Sequence, residues 1–297
     1  MHFPISGITV NPAYLAGIGF IVGILAGFFG VGGGFLTGPM LLIFGMPGHM
    51  VPGTDLAYMT GKSIVAARRH RALGHVDVKL GVIMVTGTVI GVELGAQLIE
   101  ALKRVGGVEK TLGLAYIVTL LSVSGFVAWE SFRAIRQMSR TEAIDVQDAI
   151  GFQAFTKRVQ RIDIPPMISL PESGIESISF WAVFGVGIGT GFLAGFLGVG
   201  GGFIRMPALV YVLGAPTHIA VGTDLFEIVV SSGYGALTHG IKGNVDILVA
   251  LVMHTGAAVG AQIGAVSTRY VGGPKIRLAF SVLPLIGAAL IIVNLSR

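Results

Sequence analysis

Ten apolar runs separated by short polar turns dominate the chain. They cover 13–30, 33–46, 52–67, 79–100 and 110–129, then 178–198, 201–213, 221–238, 245–266 and 275–295. A helix that crosses a bilayer needs about 20 apolar residues. The runs 33–46 and 201–213 fall short of that, and each follows a glycine cluster. Each is read as one arm of a broken or re-entrant hairpin. The one long polar stretch, 130–177, holds Pro165, Pro166, Pro171 and mixed charges, which suit a surface loop. A short amphipathic element in its middle is compatible with the pattern, without a clean period. The predicted architecture is an all-α, polytopic transmembrane helical bundle. Residues 1–132 form a first repeat, 133–177 a polar cytoplasmic connection, and 178–297 a second repeat.

The two halves match residue by residue. Gly27–Phe35 reads GFFGVGGGF and Gly195–Phe203 reads GFLGVGGGF. Pro39 matches Pro207 at an offset of 168. The offset then becomes 169, pairing Pro47 with Pro216, His49 with His218, and Gly53–Leu56 with Gly222–Leu225, both reading GTDL. Gly74 and Asp77 match Gly243 and Asp246, Thr86-Gly87 matches Thr255-Gly256, and Gly91 and Gly95 match Gly260 and Gly264. Such a register is an internal duplication, which transporters commonly contain. Loop charge bears on orientation, because cytoplasmic loops collect Lys and Arg. Arg68, Arg69, Arg71 and Lys79 in one loop and Arg133, Arg136 and Arg140 in another favour a second copy inverted relative to the first. Lys103, Arg104 and Lys110 would then be external, which counts against that reading.

Composition agrees with a membrane solvent. Hydrophobic residues are 53% and charged residues 12%, against about 25% charged in ordinary globular domains. The net charge of +5 does not imply nucleic acid, because the basic residues cluster between apolar runs. The absence of cysteine excludes disulfides and thiol chemistry. Met1–Asn11 lacks the basic start of a cleaved signal peptide, so the first apolar run is expected to be retained.

The chemistry-bearing candidates lie in these runs. The glycines of 30–34 and 198–202 look like a nucleotide loop only superficially, since no strand precedes them and no Lys-Ser/Thr follows. Two readings remain. Small residues allow close helix packing, or consecutive glycines break the helix and expose amides beside a helix N-terminus, an anion cradle. Asp55, Lys62, Glu93, Arg205, Asp224 and Glu227 are charged within apolar runs, with His254 as a neutral candidate. A charge at a helix centre costs at least about 2.5–3.5 kcal/mol unless paired or hydrated. Arg205 follows the second glycine cluster where the first copy has Thr37, so one fixed cation stands beside one cradle, or snorkels to a helix end. Asp55 and Asp224 either cap their helices or form a symmetric carboxylate pair for protons or sodium. No metal-ligand spacing, nucleophile elbow or triad is present, so no catalytic residue, metal or cofactor is expected and the chain is not read as an enzyme.

On these residues the sequence resembles the TauE/SafE family of sulfite and organosulfonate exporters of bacterial and archaeal plasma membranes. The carriers are the duplicated glycine motif, the GTDL pair, and the turns Gly-His-Val-Asp at 74–77 and Gly-Asn-Val-Asp at 243–246. The resemblance covers nearly the whole chain except 130–177 and is unspecific for substrate. It implies a secondary transporter of a small anion, expected to export sulfite or an organosulfonate by alternating access at the bilayer midplane. The expected binding residues are Gly32, Gly33, Gly34, Gly200, Gly201, Gly202, Arg205, Thr54 and Thr223. Asp55, Asp224, Glu227, Lys62 and Glu93 are the candidates for a proton or ion relay. An uncoupled anion channel, or a carrier of non-sulfur organic anions, is the alternative. The expected partners are a small anion, the lipid bilayer and a coupling proton or sodium, without nucleic acid; a homodimer stays open.

Overall fold

Apolar runs of this length fold as helices because a backbone in lipid must satisfy its own hydrogen bonds. A computed structural model describes residues 1–138, 153–198 and 200–295. The first half contains α1 (Pro12–Phe29), α2 (Gly34–Ile43), α3 (Val51–Ala72), α4 (Val78–Val105) and α5 (Val108–Met138). Between the halves lie α6 (Gln153–Gln160) and an antiparallel hairpin of β1 (Met167–Leu170) and β2 (Ile175–Ser179). The second half contains α7 (Phe180–Leu197), α8 (Gly202–Ala208), α9 (Thr217–Ile241), α10 (Ile247–Ser267) and α11 (Gly273–Leu295). A π-helical turn, Leu209–Leu213, extends α8. The two short runs are indeed the two short helices, and five helices (α1, α4, α5, α7 and α10) contain stretches long and apolar enough to cross a membrane. The described residues thus form a helical bundle with one small hairpin, a multi-pass membrane protein.

The helix starts are set by capping. Asp77 accepts from the Leu80 amide at 2.9 Å to open α4, and its match Asp246 accepts from Leu248 and Val249 to open α10. A side-chain acceptor at this position satisfies amides that the helix leaves unpaired. Asp55 and Asp224 do not cap: α3 starts at Val51 and α9 at Thr217, so both aspartates lie inside a helix. The capping alternative for the GTDL motifs is therefore overturned, because the helices begin upstream, with Pro52 in the first turn of α3.

Two glycine stripes hold the halves together. Gly19, Gly23 and Gly27 of α1 face α10, where Gly256, Gly260 and Gly264 face back; a Cβ at Gly19 would lie 2.0 Å from the Met253 carbonyl, and one at Gly260 2.1 Å from that of Phe20. Gly87, Gly91 and Gly95 of α4 meet Gly187, Gly191 and Gly195 of α7 in the same way. Spacing of four residues puts each stripe on one helix face, and missing side chains let backbones approach closely. The ascending register shows that α1 runs parallel to α10, and α4 parallel to α7. By contrast α3 and α9 run antiparallel, with Gly53 against His239 and Gly222 against His75.

The polar stretch contains an element the hydrophobic pattern does not expose. The β1–β2 hairpin sits on the end of α4, where Ser173 donates to Asp77 at 2.6 Å and Lys79 donates to the Ser169 carbonyl. The chain's first residues do the same for α10: a bridge pairs His2 with Thr9, and Ser6 donates to Asp246 at 2.6 Å. Gly7 and Gly174 take the same left-handed turn, with φ of 73° and 67°. Residues of the middle of the predicted connection, 139–152, lie outside the described residues.

The glycine stripes give a direct prediction. Gly23→Leu or Gly91→Leu must push two backbones apart and should lower unfolding stability by about 1–3 kcal/mol or more. Gly17→Leu, where a Cβ meets nothing within 4 Å, should change it little. Thermal unfolding of the detergent-purified variants checks this; equal effects at Gly17 and Gly23 would contradict the packing.

Candidate functional site

The glycine clusters become two matched loops. Gly30 ends α1 and Gly33 opens α2 with φ of 76° and 81°; Gly198 ends α7 and Gly201 opens α8 with φ of 75° and 73°. Left-handed φ at each end is a conformation that only glycine adopts without strain. It turns the chain back sharply inside the bundle. The loops meet: a Cβ on Gly202 would lie 2.7 Å from the Val31 carbonyl. The methyl of Met59 on α3 occupies the gap between them, 2.0 Å from a Cβ built on Gly32 and 2.2 Å from one on Gly200. Met59 is fully buried.

Each loop carries a buried cation, supplied from different positions. In the first half Lys62 lies beside Gly33, with its Nζ 3.2 Å from a Cβ built there. Its ammonium sits 3.6 Å from the centre of the Tyr58 ring and makes no hydrogen bond among the described residues. Asp55, the nearby opposite charge, accepts from Thr37 at 2.5 Å and leaves its second oxygen unpartnered. In the second half Arg205 lies beside Gly201, with Nη2 2.7 Å from a Cβ built there and without a hydrogen-bond partner among the described residues. Its Nη1 donates to Asp224 at 3.0 Å, to the Gly200 carbonyl at 3.2 Å and to Glu227, while Nε donates to Thr190. Asp224 and Glu227 each keep one unpartnered oxygen, and Ser231 donates to Glu227. Lys62, Asp55, Arg205, Asp224 and Glu227 are all 0% exposed.

The duplication explains the layout. Register pairs Thr37 with Arg205, Asp55 with Asp224, Tyr58 with Glu227 and Lys62 with Ser231. One cation per half is thus kept, by two different positions of the same four-residue set. That pairing was readable once the offset of 169 was known, but the meeting of both cations with the last glycine of their loops was not. Met59, matched to Ile228, carries no sequence signal for its place.

The expected site residues divide. The structure brings together Gly32, Gly33, Gly200, Gly201, Gly202, Arg205, Lys62, Asp55, Asp224 and Glu227, with Gly34 opening α2. It places Thr54 and Thr223 elsewhere: their hydroxyls accept from the backbone amides of Asp246 and Asp77, at 2.8 and 2.9 Å, and fasten each GTDL helix to the opposite repeat's turn. Glu93 is also apart. It is partly exposed and pairs with Lys242 at 3.2 Å. His254 packs against Gly61, one position from Lys62. Among the described residues no group of His, Cys, Asp or Glu could hold a metal ion.

Comparison with known proteins bears on the chain as a whole. The model of the family described as sulfite exporter TauE/SafE matches residues 15–291. The chain is 27% identical over 287 residues to the probable membrane transporter protein YunE of Bacillus subtilis, covering 92% of this chain and 95% of that one. It is 25% identical to YdhB of the same organism, over 92% and 97% of the two chains, and 24% identical to MJ0441 of Methanocaldococcus jannaschii, over 89% of each. Both are likewise described as probable membrane transporter proteins. No solved structure matches.

Removing one member of a buried ion cluster strands the others. Arg205→Ala should therefore cost about 3–5 kcal/mol of stability. The triple variant Arg205→Ala, Asp224→Asn, Glu227→Gln should recover most of that loss. Chemical unfolding in detergent measures both; a triple variant as unstable as the single one would contradict the cluster.

Proposed function

The chain belongs to the sulfite exporter TauE/SafE family of membrane transporters, and we propose that it carries a small anion, sulfite or an organosulfonate, through a site between the two glycine loops. The observation that carries this reading is the pair of buried cationic groups, Lys62 Nζ and Arg205 Nη2, each beside the last glycine of its loop and each without a hydrogen-bond partner among the described residues. A buried cation with donors unused costs free energy that an oxyanion with several acceptors would return. The amides that open α2 at Gly34 and the Gly200–Gly202 loop add donors to the same place, and the positive end of α2 adds to the field. Planar donors of Arg205 suit a sulfonate or sulfite oxygen pair.

Alternating access follows from the symmetry of the frame. The equivalent helices α3 and α9 run in opposite directions, which supports a second repeat inverted in the membrane. A site enclosed by inverted repeats opens to one face when the repeats rock one way and to the other when they rock back. The enclosure of Lys62, Arg205 and Met59, all 0% exposed, suits a closed carrier state better than a channel, which needs a continuous path. We read the carrier as an exporter of the plasma membrane, with Asp55, Lys62, Asp224 and Glu227 as its coupling groups.

A thermal-shift panel on the purified protein tests the reading. A ligand that binds only the folded state stabilises it, by about 2.7 kcal/mol at a hundred times its Kd. Sulfite or a small sulfonate should raise the unfolding temperature with concentration, acetate should do so less, and Lys62→Met should abolish the effect. Absence of a shift with every anion at millimolar concentration would contradict an anion site.

A further inference from the structure

The central site holds more acid than base. Lys62 faces one carboxyl, Asp55, while Arg205 faces two, Asp224 and Glu227, and the surplus acid is Glu227, whose counterpart in the first repeat is the neutral Tyr58. One nitrogen, Arg205 Nη1, serves both Asp224 and Glu227. The same guanidinium is the strongest anion-binding group at its loop. A substrate anion, even one taken on Nη2, therefore shares its single positive charge with the two carboxylates.

We propose that each anionic charge carried through this site travels with one proton, taken up by the Asp224–Glu227 pair when the anion binds at Arg205. This rests on the transporter reading above and deepens it. The argument is one of charge. An anion entering beside two ionised carboxylates would set three negative charges against the single charge of the guanidinium and leave the excess buried and uncompensated. A buried charge without a partner is the costliest arrangement such a site can hold. Protonation removes the cost and adds an O–H donor that the incoming oxyanion can use. The proton joins a carboxyl oxygen on loading and leaves it on release at the other face, so anion and proton move in the same direction.

The surroundings leave the proton few other places. Besides each other, the charged group facing Asp224 and Glu227 is Arg205 on α8. Thr190 of α7 accepts from Arg205, and Ser231 of α9 donates to Glu227, with the Thr88 hydroxyl of α4 close by. In the other half, Asp55 and Lys62 of α3 face one another, and His254 of α10 faces Lys62. His239, near the far end of α9, faces Lys242, Glu93 and Glu100. Sodium is a poor substitute for the proton, because the guanidinium already fills the place between the two carboxylates and would repel a second cation. Coupled one to one, a monovalent anion crosses with no net charge, so its flux follows the anion and pH gradients and not the voltage.

The test uses ethanesulfonate, which stays ionised across the working range, so any pH dependence belongs to the protein. Binding is measured by calorimetry on the full chain in detergent between mildly acidic and mildly alkaline pH, in two buffers of different ionisation heat. The expected result is uptake of one proton per anion bound, with affinity rising about tenfold per pH unit on acidification while the empty site is ionised. In the double variant Asp224→Asn, Glu227→Gln, ethanesulfonate should bind with no proton uptake and no dependence on pH. Flux of the wild type in proteoliposomes should acidify the receiving side and ignore an imposed potential. Binding or flux of ethanesulfonate without proton movement in the wild type would overturn this proposal alone and leave the anion carrier standing. No binding at any pH would overturn the transporter reading and this inference with it. The wild-type stoichiometry decides the matter even where the double variant fails to fold.

Discussion

Close contact between backbones is the constraint on which the rest of the structure depends. In lipid no hydrophobic force drives helices together, so association relies on packing, and small residues provide it. Here the contact is made between repeats: α1 of the first half meets α10 of the second, and α7 of the second meets α4 of the first. Because these are equivalent pairs, each repeat is built into the other, and neither can close its own core. The loops that end α1 and α7 are the continuation of the same contacts, since Gly27 and Gly195 belong to both the stripe and the loop motif. The place where the two loops touch is therefore fixed by the helices that lead to them. His70 and His239 reinforce it, each bonding the carbonyl of that glycine at 2.9 Å.

Within this symmetric frame the chemistry is asymmetric. Both halves keep an aspartate from the GTDL motif and one cation, but the first uses Lys62 against Tyr58 and Asp55, while the second uses Arg205 against Asp224 and Glu227. A lysine ammonium is a compact point charge on a flexible stem, and an arginine fork is planar and directional. One half therefore offers a loosely held charge against an aromatic face, the other a rigid donor set already engaged by acids. A frame that is nearly two-fold thus encloses two buried clusters that differ in charge and in geometry. Met59 lies between the loops, where a flexible thioether can yield to an entering ligand more readily than a branched chain.

Much of this frame is legible in the sequence, for physical reasons. Apolar runs report helices because lipid leaves the backbone no alternative. The duplicated glycines report left-handed turns because few other residues adopt them. The offset of 168 sets Arg205 against Thr37, and the offset of 169 pairs Asp55 with Asp224 and Lys62 with Ser231, so Lys62 and Arg205 are exposed as unmatched charges. What escaped is what depends on three-dimensional neighbours. Thr54 and Thr223 looked like site hydroxyls because they adjoin the aspartates, but successive helix residues point about 100° apart, and theirs turn to the opposite repeat's turns. Glu93 looked buried because its run is apolar, yet its helix face meets Lys242. The hairpins at 2–9 and 167–179 share the pattern Pro-x-Ser-Gly-Ile, at Pro4–Ile8 and Pro171–Ile175, a match whose role only the two serine–aspartate bonds reveal.

The central claim is that the loops enclose one site reached in turn from the two faces of the membrane. The chain has no cysteine, so Met59→Cys introduces a single thiol between the loops. Its reaction with a membrane-impermeant thiol reagent, applied to one face of sealed vesicles at a time, is the most direct measurement. The account predicts labelling from either face, slowed in both cases by the transported anion. Labelling from neither face, or labelling that the anion leaves unchanged, would contradict it.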